Sequence, residues 1–309
     1  MHANSLRSQL QLLTKRYNVI TPNDFLRWLE GDISLPPRSV LLTCDDALRN
    51  ALKCMVPILQ QHGLSCLFFA TGISTDKMPA MLWHEELYLM LLQAKVPLSL
   101  SLPEAGINIG PIMPTQRHAS WWNLVEQLSR FDKAVTREFL DQIREQLGLS
   151  EDWRQKLLQD SSVADRFLTL DRADLKRLAM SGMVIGAHSL SHPILSRAPE
   201  NLARREIFES KTVLEKVLNQ PVWALAYPFG NAATVTKREV RAADQSGFRC
   251  AFMNEGGGFG AKINRLTVPR VHVTAHMSVP EFEAHLVGFY RTLRKKLLGE
   301  NVMEAVIGA

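Results

Sequence analysis

Short apolar runs alternate along this chain with stretches of helical periodicity, and that alternation constrains its fold more than any other feature. Residues 40–43 and 65–70 (Ser-Cys-Leu-Phe-Phe-Ala) are apolar but for Thr43 and Ser65, as in strands buried on both faces of a parallel sheet. Further strand-like runs lie at 184–187, 222–226, 248–253 and 266–273. Helical patterns fill the spaces at 10–17, 23–31, 47–62, 201–218 and 236–245, and another closes the chain at 280–298. Thr21 or Asn23 suits the N-cap of the second of these, and Asp171 caps a helix running through Leu175 and Leu178 to Met180. Strands alternating with helices give an α/β fold.

Residues 83 to about 165 break the rhythm. Helical patterns dominate there, at 85–94, 121–130 and 133–147, punctuated by Pro97, Pro103, Pro111 and Pro114. The stretch reads as a mainly helical insertion within one catalytic domain spanning 1–309. With 46% hydrophobic and 22% charged residues, the chain can bury a sizeable core.

The net charge of +5 is spread out, and its densest run is Arg291-Thr292-Leu293-Arg294-Lys295-Lys296. That run reads as a solvated helix face, so no nucleic-acid partner is expected. The four cysteines form no CxxC pair and read as buried free thiols of a reducing compartment. The first 17 residues lack the apolar core of a secretory signal, and no apolar run reaches 18 residues. A cytoplasmic location without a transmembrane segment is therefore expected, although a truncated N-terminus would hide either feature.

Two polar stretches follow apolar runs and carry the chemistry. Asp45-Asp46 comes directly after residues 40–44, and His188-Ser189-Leu190-Ser191-His192 directly after residues 183–187. In parallel α/β folds, functional groups collect at the carboxyl ends of strands. Adjacent aspartates point in different directions, so one can bind a metal while the other takes a proton. Either also suits the N-cap of a helix starting near Ala47, and the pair alone leaves both readings open. His188 and His192 share a face if the turn between them is helical. Two imidazoles and one carboxylate suit a divalent metal, zinc best. A third turn, Tyr227-Pro228-Phe229-Gly230-Asn231, follows the run at 222–226. The glycine-rich stretch at 256–262 lacks the ending of a phosphate loop and reads as a loop.

These segments carry a resemblance. Leu42-Thr43-Cys44-Asp45-Asp46-Ala47 resembles the Thr-Phe-Asp-Asp-Gly motif of polysaccharide deacetylases, carbohydrate esterase family 4. Gly186-Ala187-His188-Ser189-Leu190-Ser191-His192-Pro193 is similar to that family's His-Ser/Thr-x-x-His-Pro motif, and Ala226-Tyr227-Pro228-Phe229-Gly230 resembles its Pro-Tyr-Gly turn. The order of the three matches as well, and the flavour is that of the bacterial branch acting on exopolysaccharide, capsule or lipopolysaccharide.

The resemblance implies a distorted (β/α) barrel, one divalent metal, and removal of acetyl groups from an N-acetylated glycan or sugar conjugate. Asp46, His188 and His192 would ligate the metal, and Asp45 would be the general base. The backbone N–H of Phe229 would stabilise the oxyanion, and Tyr227 and Pro228 would belong to the substrate-binding turn. Trp83 and His84 suit either a sugar-stacking rim or buried packing.

Three departures from the family pattern stand out. Ala47 replaces a glycine. Ala226 stands where many members carry an arginine that orients the base, and Arg270 on the next strand is the candidate for that charge. The late Leu-x-His motif that supplies the general acid has no clean match, with His272 favoured over His276. These departures keep two other readings open: a weakened relative that binds glycan or an assembly partner, or a metal amidohydrolase of small amides.

Overall fold

The structure, a computed structural model, describes residues 2–95, 97–256 and 263–289. The N-terminal part holds helix α1 (Ala3–Arg16), strand β1 (Asn18–Ile20), helix α2 (Pro22–Leu29) and strands β2 (Ser39–Leu41) and β3 (Thr43–Cys44). Helix α3 (Val56–Gln61) and strand β4 (Leu67–Ala70) follow. The insertion runs through α4 (Trp83–Gln93), β5 (Leu98–Leu102), β6 (Ile107–Ile112), α5 (Arg117–Leu128), α6 (Lys133–Gln146), α7 (Trp153–Leu157) and α8 (Ser161–Phe167). The alternation then resumes with α9 (Arg172–Met180), β7 (Val184–Ala187), α10 (Glu200–Leu218), β8 (Ala224–Ala226), α11 (Lys237–Gln245), β9 (Cys250–Gly256), β10 (Val268–Arg270) and α12 (Val279–Leu286).

Six strands form one parallel sheet in the order β10-β9-β8-β7-β4-β3. Strand period explains the unbroken apolar runs, because both faces of this sheet are buried. Leu67 and Phe69 of β4 share one cluster with Ala224, Ala226, Cys250 and Phe252. Their neighbours Phe68 and Ala70 join the other cluster, with Leu225, Ala251 and Met253, against Leu178 of α9 and Ile207 and Leu214 of α10. The first cluster fills the concave face, where the ring of Phe252 meets Phe69 at 5.3 Å and Phe25 of α2 at 5.7 Å. Burying each such side chain contributes about 2 kcal/mol.

The sheet curls until its two edge strands face each other. Arg270, at the end of β10, donates from Nη1 to Thr43 Oγ1 of β3 at 3.0 Å, with its guanidinium over the Phe69 ring. Side chains thus span the gap between the edges where a closed barrel would have a backbone ladder. This is the distorted (β/α) barrel that the resemblance implied.

Several elements differ from the sequence reading. Residues 40–43 are not one strand. β2 pairs with β1 in a separate two-stranded sheet, while the Leu42 carbonyl accepts from Leu67 N–H as the chain passes into β3. The helix expected from residue 47 begins later and widens into a π-helix over Ala51–Met55. Pro57 has no N–H and its ring crowds the carbonyl four residues back, which favours the wider turn. The insertion also contains the antiparallel β5–β6 hairpin. Its alternating Leu100, Leu102, Ile107 and Ile112 pack with α4, α5 and α6 into a second core, so the prolines there mark edge strands. Of the cysteines, Cys66 and Cys250 are buried, Cys44 is half-buried and Cys54 is exposed, which corrects the expectation of four buried thiols. Ser278 caps α12; the expected continuation to residue 298, the basic run at 291–296 and residues 257–262 lie outside the described residues. No helix among the described residues is long and apolar enough to cross a membrane.

Candidate metal centre

Parallel strands bring their carboxyl ends to one rim. Asp45 and Asp46 follow β3, His188 follows β7, Tyr227 to Phe229 follow β8, and Arg270 ends β10. Asp46, His188 and His192 each present a ligand atom within 4.8 Å of the others. Nε2 of His188 and Nε2 of His192 lie 3.6 and 3.3 Å from Asp46 Oδ1. That oxygen is buried and has no hydrogen-bond partner among the described residues. Buried polar atoms seldom remain unpartnered, and a bare carboxylate oxygen between two imidazole nitrogens is a donor set for a divalent cation. The residues present therefore fit the metal that the resemblance implies.

Protonation states agree with ligation. His188 Nδ1 lies 2.7 Å from the Ala226 carbonyl. Donation there places the proton on Nδ1 and leaves the Nε2 lone pair facing Asp46. Burial holds the His188 imidazole below its usual range despite the pull of Asp45. Burial alone would raise the Asp46 carboxyl, but the imidazoles of His192 and His188 outweigh it and hold it well below the usual carboxylate range. The result is an ionised Asp46 carboxylate facing the Nε2 lone pair of His188.

Asp45 has a different environment. Arg270 Nη1 and Nη2 donate to its two oxygens, each at 2.7 Å, and Arg270 Nε donates to the Met253 carbonyl at 2.7 Å. Burial pushes the Asp45 carboxyl up, and the guanidinium more than reverses that. The candidate arginine therefore does reach Asp45, and the backbone carbonyl of Ala226 orients His188.

The segment joining the two histidines is not the helical turn expected from their spacing. It is an irregular loop with φ of +60° at Ser189 and +66° at His192. Ser189 Oγ accepts from His192 N–H at 2.9 Å. The buried Glu206 carboxylate of α10 accepts from Ser191 N–H at 2.7 Å and from Ser191 Oγ at 2.6 Å. Asp46, Ala47 and Phe229 also have positive φ, of +67°, +47° and +61°. Left-handed backbone costs a non-glycine residue about 1 kcal/mol, so strain is gathered on this rim. Gly186, just before the loop, has no room for a side chain, since a Cβ there would lie 2.6 Å from the Phe69 ring.

Residues 152–251, which include both histidines and the Tyr227–Gly230 turn, match the model of the polysaccharide deacetylase family. That third of the chain is thus similar to a polysaccharide deacetylase domain. The putative polysaccharide deacetylase YxkH of Bacillus subtilis is 23% identical over 117 residues, 38% of this chain and 41% of that relative's length. Two solved structures share the fold over nearly the whole chain. The Streptococcus pyogenes deacetylase PplD in complex with acetate is 17% identical with a TM-score of 0.56, covering 92% of this chain and 86% of its own. IcaB from Ammonifex degensii is 18% identical with a TM-score of 0.53, covering 93% and 89%.

Other residues singled out in the sequence lie differently in the structure. The Tyr227 side chain is fully buried in the core and its hydroxyl donates to the Leu266 carbonyl at 3.1 Å. It supports the turn from beneath and does not face a substrate. Trp83 is half-buried, with its Nε1 donating to the His192 carbonyl at 3.2 Å. His84 is buried beside His192 and is not on an open rim. Pro228 precedes Phe229, whose ring meets those of His192 at 4.9 Å and Trp122 at 5.3 Å. His272 is exposed two residues beyond Arg270, with Nδ1 3.2 Å from Asn254 Oδ1. Glu206 and Trp122 went unrecognised in the sequence. A glutamate on an amphipathic helix and a tryptophan in an insertion carry no local signal of what they will touch.

Proposed function

We propose that this chain is a metal-dependent hydrolase that removes acetyl groups from an N-acetylated carbohydrate. The observation that carries the reading is the division of labour between adjacent aspartates. Asp46 joins two imidazoles in a cation site, while Asp45 is held ionised and apart by Arg270. A divalent metal at Asp46, His188 and His192, zinc by the chemistry of the donors, supplies Lewis acidity and lowers the pKa of water at that point. Asp45 is the general base, taking a proton from the attacking water. Arg270 fixes the direction of that carboxylate and keeps it ionised. The Phe229 N–H, in the strained turn after β8, donates to the developing oxyanion. His272 is the candidate for protonating the departing amine.

The family match, YxkH and the deacetylase PplD support an acetylated glycan as the substrate class. A bacterial surface polysaccharide or its sugar-conjugate precursor is the form we propose. The test is acetate release from a panel of N-acetylated oligosaccharides, nucleotide sugars and lipid-linked sugars. Asp45→Asn is expected to lower the rate by about 10²-fold or more. Release unchanged in Asp45→Asn, or a metal-free protein as active as the zinc-loaded one, would refute the reading.

A further inference from the structure

We propose that His84, in the first turn of α4, is a positioning residue that holds the imidazole of His192 in its ligating plane. A ligating histidine is normally oriented by a hydrogen bond from its second ring nitrogen. His188 has one, to the Ala226 carbonyl. His192 does not: its Nδ1 is buried and has no hydrogen-bond partner among the described residues. Ring contacts stand in its place. The His84 imidazole stacks on His192 with centroids 4.4 Å apart and planes at 24°. Phe229 and His188 meet His192 edge-on at 4.9 and 4.8 Å. The stacked contact is the near-parallel one of the three, laying face against face, and it is the one we assign to fixing the plane of the ring.

His84 is itself held firmly. It is 5% exposed, and Trp121 Nε1 donates to its backbone carbonyl at 2.8 Å. The neighbouring Trp83 Nε1 donates to the His192 carbonyl at 3.2 Å, tying the same helical turn to the loop. The Trp83 indole thus clips the first turn of α4 against the metal loop, and the Trp121 indole fixes that turn to α5. The helical insertion supplies no ligand to the cluster, but it sets how well one ligand is presented. His84 Nδ1 is also without a hydrogen-bond partner among the described residues, so a flat apolar ring can replace His84 without losing a bond at that atom.

The inference rests on the metal-centre reading, and one experiment separates the two. Zinc affinity of the metal-depleted full chain is measured by competition with a chromophoric chelator, with the cobalt spectrum as a second readout. His84→Ala and His84→Leu are each expected to weaken zinc binding about 10-fold or more and to alter the cobalt bands. His84→Phe, which keeps the flat face, is expected to stay within about threefold of the parent on the same scale. If His84→Ala does not fold, the contrast between Leu and Phe decides. Leu binding as tightly as the parent, or Phe as weakly as Leu, would overturn the role of the stack. Zinc affinity unchanged in His192→Ala would instead remove the metal reading itself.

Discussion

Arg270 grips both carboxylate oxygens of Asp45 at 2.7 Å across 225 residues of chain. The contact does two jobs. It joins the last strand of the sheet to the first, and it keeps a buried carboxylate ionised. In Arg270→Ala the main lowering influence goes while burial remains, so the Asp45 carboxyl rises. The acid limb of kcat/KM against pH is expected to move up by about one unit or more, with reduced activity at neutral pH. Stability is expected to fall by about 2–3 kcal/mol, because a partly buried charge loses its partner. A pH–rate profile with an unmoved acid limb would show that Arg270 is not what holds Asp45 ionised.

Glu206 ties the loop between the histidines to α10 through Ser191 N–H and Oγ. Removing it leaves a buried N–H and a hydroxyl without an acceptor. Glu206→Ala is expected to cost about 2–3 kcal/mol and to weaken metal binding, whereas Glu206→Gln keeps an acceptor and loses less. Urea denaturation and zinc titration of the two variants check the order; equal losses would mean that the charge matters and the hydrogen bonds do not.

Ala47 is fully buried with φ of +47°, where the family pattern has glycine. Ala47→Gly relieves about 1 kcal/mol of left-handed strain and loses burial of one methyl group, about 0.8 kcal/mol. The two nearly cancel, so stability is expected to stay within about 1 kcal/mol of the parent. A much larger loss in thermal or chemical denaturation would show that the methyl group is tightly packed.

Glu86 is buried inside the insertion, and both Arg137, at 2.8 Å, and Arg154 donate to its carboxylate. Glu86→Ala leaves two guanidinium groups together without their anion. The expected cost is about 3 kcal/mol. Hydrogen exchange should show faster opening in α4, α6 and α7 with the barrel strands little changed. Uniform opening throughout would mean that insertion and barrel unfold as one unit.

Much of the barrel was legible in the sequence. Leu67 to Ala70 and Val184 to Ala187 show the unbroken apolarity of strands covered on both faces, and Thr21, Asp171 and Thr236 cap helices within reach of their own chain. Local signals failed where distant partners decided the outcome. Leu42 marks the break between two ladders because one strand partner is β1 and the other β4. The β5–β6 hairpin is built on a core that exists only once α4, α5 and α6 close over it.

At the rim the division is the same. By itself the sequence determined which residues have the chemistry of a metal site, and that Asp45-Asp46 and the two histidines would end strands of one sheet. Only the tertiary structure decided how they work together. It put Arg270 on Asp45, the Ala226 carbonyl on His188, Glu206 beneath Ser191 and His84 against His192. Each of these contacts joins residues on different elements. Strand and helix periods fix which way a side chain leaves its own element, but the curl of the sheet and the seating of the insertion fix what it meets.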